Sequence, residues 1–216
     1  MISILDIRQH AASDILDYQQ VVSMLGEYSK PRDRISTMLD KGELIRVRKG
    51  LYVLGRAFCR RPVVPGQLAN LIYGPSYVSL DYALGYYGLI PERIEEITSV
   101  TTGKYRIYET PFGVFTYRPL SPPRYVPGVV FGGDECDHHL IATPEKALID
   151  KVWCDKRFKP TRMDDYGAYL FDDLRIDQQQ LIGLDPSLLG TIAAAFSSRK
   201  IDILVRFIHQ VSRSTA

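Results

Sequence analysis

Pro31-Arg32-Asp33-Arg34-Ile35-Ser36-Thr37-Met38-Leu39-Asp40-Lys41-Gly42-Glu43-Leu44-Ile45-Arg46-Val47-Arg48-Lys49-Gly50-Leu51-Tyr52-Val53-Leu54 is the stretch on which the fold of the first part of the chain turns. Pro31 has no N–H to lose in the first turn of a helix, and Ser29 or Lys30 stands at the cap. Ile35, Met38 and Leu39 recur at helical spacing, and Gly42 ends the run. Leu44 to Arg48 and Leu51 to Leu54 then read as two short strands around Arg48-Lys49-Gly50, with glycine in the left-handed position of a tight hairpin. Upstream, Asp17 caps a helix through Tyr28 whose apolar face is Val21, Val22, Met24 and Leu25. Helix, turn, helix, basic hairpin: this order predicts a winged helix-turn-helix.

Charge follows the same division. Between Lys30 and Pro62 ten basic residues stand against Asp33, Asp40 and Glu43, a net of +7. From Val63 onward 16 basic residues face 18 acidic ones, a net of −2. A basic head on a near-neutral body suggests nucleic-acid binding. The 216 residues, 45% hydrophobic and 24% charged, exclude wholesale disorder and low-complexity fibre, and allow one large domain or two small ones. No apolar run approaches the roughly 18 residues of a membrane span. Asp6 and Arg8 break any signal-peptide core. Cys59, Cys136 and Cys154 are odd in number and widely spaced, which argues against a disulfide framework or zinc finger and fits a reducing cytoplasm. A cytoplasmic protein without a membrane partner is expected.

The proline-bearing linker from Arg60 to Pro65 predicts two domains, 1–60 and 61–216. In the second, helices are expected over Gly66 to Tyr73 and Ser79 to Tyr87. Strands are expected at Ile94 to Thr101, Lys104 to Thr110, Gly113 to Arg118, Val126 to Phe131 and His138 to Ala142. Thr143-Pro144 opens a helix through Trp153, with Thr143 as cap and Glu145 near the positive end of the dipole. The stretch from Asp164 to Arg213 reads as all-helical, with Asp185-Pro186 starting one helix. The expected class is α+β: the winged helix, then a mixed α/β domain with a helical C-terminal part.

The 31–54 stretch closely resembles the N-terminal winged helix of the AbiEi antitoxin family. Three further segments resemble the same family in the same order: GPSYVSLDYALGYYGLIPE (74–92), TPFGVFTY (110–117) and IATPEKALID (141–150). Tyr82 departs from the pattern, standing where the family more often carries a small Ser. The likeness runs from about Asp17 to Trp153. It implies a bacterial type IV toxin–antitoxin operon whose antitoxin binds double-stranded promoter DNA through the winged helix and represses transcription. It also implies that the C-terminal domain counters a nucleotidyltransferase-type toxin without a stable complex between the two.

Arg32, Arg34, Ser36, Thr37 and Lys41 lie off the apolar stripe of the second helix, where side chains meet bases and phosphates in a major groove. Arg46 and Arg48 alternate with Val47, so both should leave the sheet on one face, with Lys49 at the tip, suited to phosphate or minor-groove contact. An exposed polar helix face and edge-strand protection are the plainer readings of the two sets. Lys146 and Asp150 read as a helical i,i+4 pair, and Glu145 as a dipole partner rather than a nuclease carboxylate. Asp134-Glu135-Cys136-Asp137-His138-His139 has metal-ligand chemistry, yet adjacent histidines on a strand point apart, and a polar turn entering a strand is preferred. Tyr82, Tyr86 and Tyr87 are expected in the core. No catalytic residue, cofactor or metal is expected. The alternatives to a repressor and antitoxin are a nucleic-acid-processing enzyme targeted by the winged helix, and a regulator whose second domain senses a small ligand.

Overall fold

The Ser3 hydroxyl accepts the Asp6 amide while the Asp6 carboxylate accepts the Ser3 amide, a capping box that starts α1 (Ile4–His10). After β1 (Ile15–Asp17), Asp17 repeats the device with Gln20 and opens α2 (Tyr18–Leu25). Next come α3 (Pro31–Asp40), β2 (Leu44–Arg48) and β3 (Leu51–Leu54). The helix, helix, hairpin order is the expected one, with α1 and β1 added in front. The computed structural model describes residues 2–26, 28–134 and 137–215. Helices hold 46% of the chain and strands 19%, so the class is α+β.

β3 lies between β1 and β2 in an antiparallel sheet, and every one of its residues is buried. Leu16, Leu44, Tyr52 and Leu54 pack with Ile7, Val21, Leu25, Ile35 and Met38 of the three helices. Ile15, Val47, Leu51 and Val53 instead join the large core of the rest of the chain. A strand covered on both faces is built from an unbroken apolar run, and Leu51-Tyr52-Val53-Leu54 is one.

Beyond the coil at residues 60–64, α4 (Pro65–Ile72) leads to β4 (Ser76–Val78), α5 (Leu80–Tyr86), β5 (Ile97–Thr101), β6 (Arg106–Thr110), β7 (Gly113–Pro119), α6 (Pro122–Tyr125), β8 (Val129–Gly132) and β9 (His139–Ala142). The strands form one mixed sheet, ordered β6-β7-β5-β4-β9-β8. The pairs β4–β9 and β5–β7 are parallel. Tyr117 on β7 donates its hydroxyl to the Ala69 carbonyl at 2.7 Å, so α4 covers the face on which Tyr117 stands. Tyr77 on β4 projects from the other face and donates to Asp150 on α7 (Pro144–Cys154). α5 packs against α7 on that side. The helical tail is as expected: α8 (Asp165–Gly167), a π-helical segment (Ala168–Asp173), α9 (Gln178–Ile182), α10 (Pro186–Phe196) and α11 (Arg199–Thr215). α10 and α11 both pack on α7.

β4 and α6 were not foreseen, and β8 starts at Val129 rather than Val126. The Pro122-Pro123 pair turns the chain through a short helix first. Of the three tyrosines expected in the core, Tyr82 and Tyr87 are half-buried and pack against its margin, whereas Tyr86 is exposed against Tyr87. The core face of α5 belongs to Leu80, Ala83 and Leu84. Among the described residues no helix is long and apolar enough to cross a membrane.

Candidate nucleic-acid interface

α3 buries Ile35 and Met38, which leaves Arg32, Asp33, Ser36, Thr37 and Asp40 in solvent, with Lys41 just beyond. The two acidic groups offset Arg32 and Lys41, so the exposed helix face is close to neutral and the positive excess lies around it. Lys30, Arg46, Arg48, Lys49 and Arg56 surround the helix in sequence, and Arg46, Arg48, Lys49 and Arg56 are exposed. The hairpin turn is held against α2, because the Tyr18 amide donates to the Gly50 carbonyl at 3.0 Å. Arg32 Nε donates to the Tyr18 hydroxyl at 3.4 Å. Tyr18 thereby ties the first turn of α3 to the hairpin tip, where Arg32 and Lys49 are both exposed.

Arg34 does not join them. Its guanidinium folds back and donates to the Ile2 carbonyl at 2.9 Å, half-buried against the N-terminal segment. The sequence offset from the apolar stripe missed this because α1 and its leading residues cover that flank of α3. Thr37 is exposed, but its hydroxyl donates to the Asp33 carbonyl at 2.9 Å, so with that bond in place it can meet a base only as an acceptor. Ser36 and Lys41 are exposed as expected.

The hairpin also needs correction. A register shift separates Arg46, opposite Tyr52, from Arg48, opposite Leu51. Tyr52 faces the helices and Leu51 the larger core, so the two arginines do not leave the sheet on one face. An inserted residue in a strand undoes its two-residue alternation. Arg46 lies over the Tyr52 ring, 6.0 Å from its centroid. Burial and Tyr108 raise the Tyr117 phenol, and the Arg48 charge opposes that rise. Leu51, the residue opposite Arg48, joins the large core, so this end of β2 faces the second unit.

Two other arginines of the basic window are also engaged. Arg60 forms an ion pair with Asp14 at 2.7 Å and donates to the carbonyls of Arg8 and Ala11. Arg61 lies 3.6 Å from Asp134.

In the second unit the expected Lys146–Asp150 pair is present at 2.7 Å, but with both side chains fully buried. Asp150 also accepts from the Tyr77 and Ser79 hydroxyls at 2.7 and 2.9 Å, and Lys146 donates to the Arg124 carbonyl at 2.6 Å. Ser79 stands at the start of α5 yet makes no side-chain cap, because its hydroxyl serves Asp150. Burial raises the Asp150 carboxyl and lowers the Lys146 ammonium, and each charge opposes the other's shift. With every partner in place and no solvent access, the cluster has the chemistry of a structural lock. Glu145 accepts from the Asp185 amide at 2.9 Å, joining α7 to the start of α10.

Of the 134–139 cluster, Glu135 and Cys136 lie outside the described residues. His138 is exposed and His139 is buried, with its ring where a side chain on Gly66 would stand, so the histidines do point apart. Among the described residues no group of three ligating side chains gathers.

A cleft of about 630 Å³ lies between the end of α7 and the π-helical segment, lined by Asp81, Glu92, Lys151, Asp155, Phe158 and Asp173 among others. Lys151 and Asp81 form an ion pair at 2.6 Å beside it. Leu80 and Arg175, two of the three non-glycine residues with positive φ among those described, flank the region, and Arg175 pairs with Glu92. No protein-family model matches the chain, and neither does any curated protein sequence.

Proposed function

We propose that residues 1–60 are a winged helix-turn-helix that binds double-stranded promoter DNA, and that the protein is a cytoplasmic, non-catalytic repressor and antitoxin. One observation carries the DNA-binding reading: Tyr18 bridges the first turn of α3 and the Lys49 turn, where Arg32 and Lys49 are both exposed. A helix presented beside a basic hairpin can enter a major groove while the hairpin grips the adjacent backbone. The order of helices and strands, with β3 between β1 and β2, supports it. The antitoxin role, against a nucleotidyltransferase-type toxin and without a stable complex, rests on the resemblance of the four quoted segments. Its site in this reading is the 61–216 unit.

The test is binding to DNA from the protein's own upstream region across a salt series. Contacts from Arg32, Lys41, Arg46 and Lys49 would make log K fall with log salt at about 0.9 per phosphate, or roughly 3 to 4 per head. A slope near zero, or no preference for the upstream region over random DNA, overturns the reading. Co-expression with the neighbouring toxin tests the antitoxin role separately. A second reading, a regulator sensing a small ligand, is favoured by the cleft beside Leu80 and Arg175, since costly backbone conformations gather at functional sites. A metabolite that raises the melting temperature of the wild type but not of Asp173→Ala would support it.

A further inference from the structure

The six-stranded sheet ends in two different edges. β6 carries Arg106 and Glu109, charges of the kind that block stray strand pairing. β8 is Val129-Val130-Phe131-Gly132, without a charge or a proline, and it pairs with β9 alone among the described strands. Phe131 is 77% exposed, Val130 40%, and Val126 just before the strand 71%. An uncharged edge with its largest side chain in water is what soluble proteins otherwise avoid.

We infer that β8 is a self-association edge, pairing antiparallel with β8 of a second copy of this chain. The strand suits its own copy, because a two-fold axis brings like residues toward like and β8 holds no charge to repel itself. Symmetry adds a second argument. Edge-to-edge antiparallel pairing of identical strands in one continuous sheet requires a two-fold axis perpendicular to that sheet. Such an axis keeps the same face of both sheets on the same side. α4 covers the Tyr117 face, and the first unit lies on that side too, since Ile15 of β1 and Gln67 of α4 line one cavity. Pairing through β8 therefore sets both basic heads on one side of a twelve-stranded sheet, where a single duplex can meet both. Only this purpose rests on the DNA-binding reading.

The experiment is sedimentation velocity of the full chain without DNA, over concentrations up to about 100 μM, a range that captures a micromolar dimer. The wild type should form dimers. Val130→Lys and Phe131→Lys should each raise the dissociation constant by about tenfold or more, while their melting temperatures stay near that of the wild type. Phe131 is exposed enough that its replacement keeps the test valid if Val130→Lys misfolds. Ile107→Lys, on the opposite edge, should leave the dimer intact. A wild type that stays monomeric, a dimer indifferent to both β8 substitutions, or one dissolved only by Ile107→Lys overturns the proposal. With no DNA present, any of these leaves the DNA-binding reading standing.

Discussion

At Arg48 and Lys49 the irregularity in β2 separates two charges that adjoin in sequence, since Arg48 stands opposite Leu51 of the large core whereas Lys49 lies in the turn held against α2. Lys49→Ala should therefore make the salt slope of DNA binding shallower by about 0.9, and Arg48→Ala should leave it nearly unchanged. Equal effects of the two, measured by salt-titrated anisotropy, would mean that the bulge does not divide them in solution. Arg34→Ala should act on stability rather than specificity. It removes a half-buried bond to the Ile2 carbonyl, a loss of about 1 kcal/mol that lowers the melting temperature by a few degrees. Operator preference should persist. Lys146→Met should cost far more, about 3–5 kcal/mol, because it strands the Asp150 carboxylate in the core. Adding Asp150→Asn should recover part of the loss, since no uncompensated charge then remains; denaturant titration of the three variants measures this coupling.

Among the elements, the β2–β3 hairpin depends on one backbone conformation. Gly50 has φ of 83°, and a Cβ there would meet nothing within 4 Å, so the cost of a side chain is conformational rather than steric. Gly50→Ala should destabilise by about 1–2 kcal/mol and Gly50→Asn by less, since asparagine tolerates the left-handed region. Chemical denaturation would distinguish them. The start of α5 follows a different rule. Ser79 occupies a cap position but gives its hydroxyl to Asp150, 71 residues away, so its replacement should unsettle α7 as well as α5. The cap of α7 is local by contrast: the Thr143 hydroxyl accepts the Lys146 amide, as its position before Pro144 predicts. Capping signals are legible because the whole interaction lies within four residues. The bulge in β2 was not, because it is set by how β3 is clamped between two other strands.

For the whole molecule, the first unit is more than a head on a tether. Its sheet contributes Ile15, Val47, Leu51 and Val53 to the common core, and Arg60 fastens the linker to Asp14. A fragment covering 61–216 should consequently melt below the full chain and expose apolar surface around α4, which dye binding and calorimetry would show; an unchanged melting temperature would make the shared core energetically idle. Acid should weaken the full chain. The Glu92 carboxyl is lowered by Arg175, and Asp165 by the amides of Arg162 and Thr161. For Asp155 burial pushes upward, but the amides of Arg157 and Phe158 and the Tyr169 hydroxyl outweigh it. Groups with folded pKa values below their unfolded ones contribute stability that is fully present above the unfolded values and is lost as pH falls through the folded ones. Melting temperatures should fall as pH drops through and below the ordinary carboxyl range, and Asp155→Asn should flatten that fall.

Residue order alone specifies the parts whose causes lie within a turn or two: the capped starts of α2, α7 and α10, the span of α3, both strands of the basic hairpin, and the helical tail. It also holds unread signals, the Ser3–Asp6 capping box and the unbroken apolar run of β3. Which charges are engaged is set by packing between distant parts of the chain. Arg34 is tied to the Ile2 carbonyl, 32 residues earlier, Arg60 to Asp14, 46 residues away, and a register shift sends Arg48 to the face opposite that of Arg46. The same holds for Asp150, a surface-style helical pair by spacing and the buried hub of Tyr77, Ser79 and Lys146 by packing. The reason is physical. Periodicity and capping act over the reach of one helical turn, whereas the exposure of a charge depends on what chain folds over it from elsewhere.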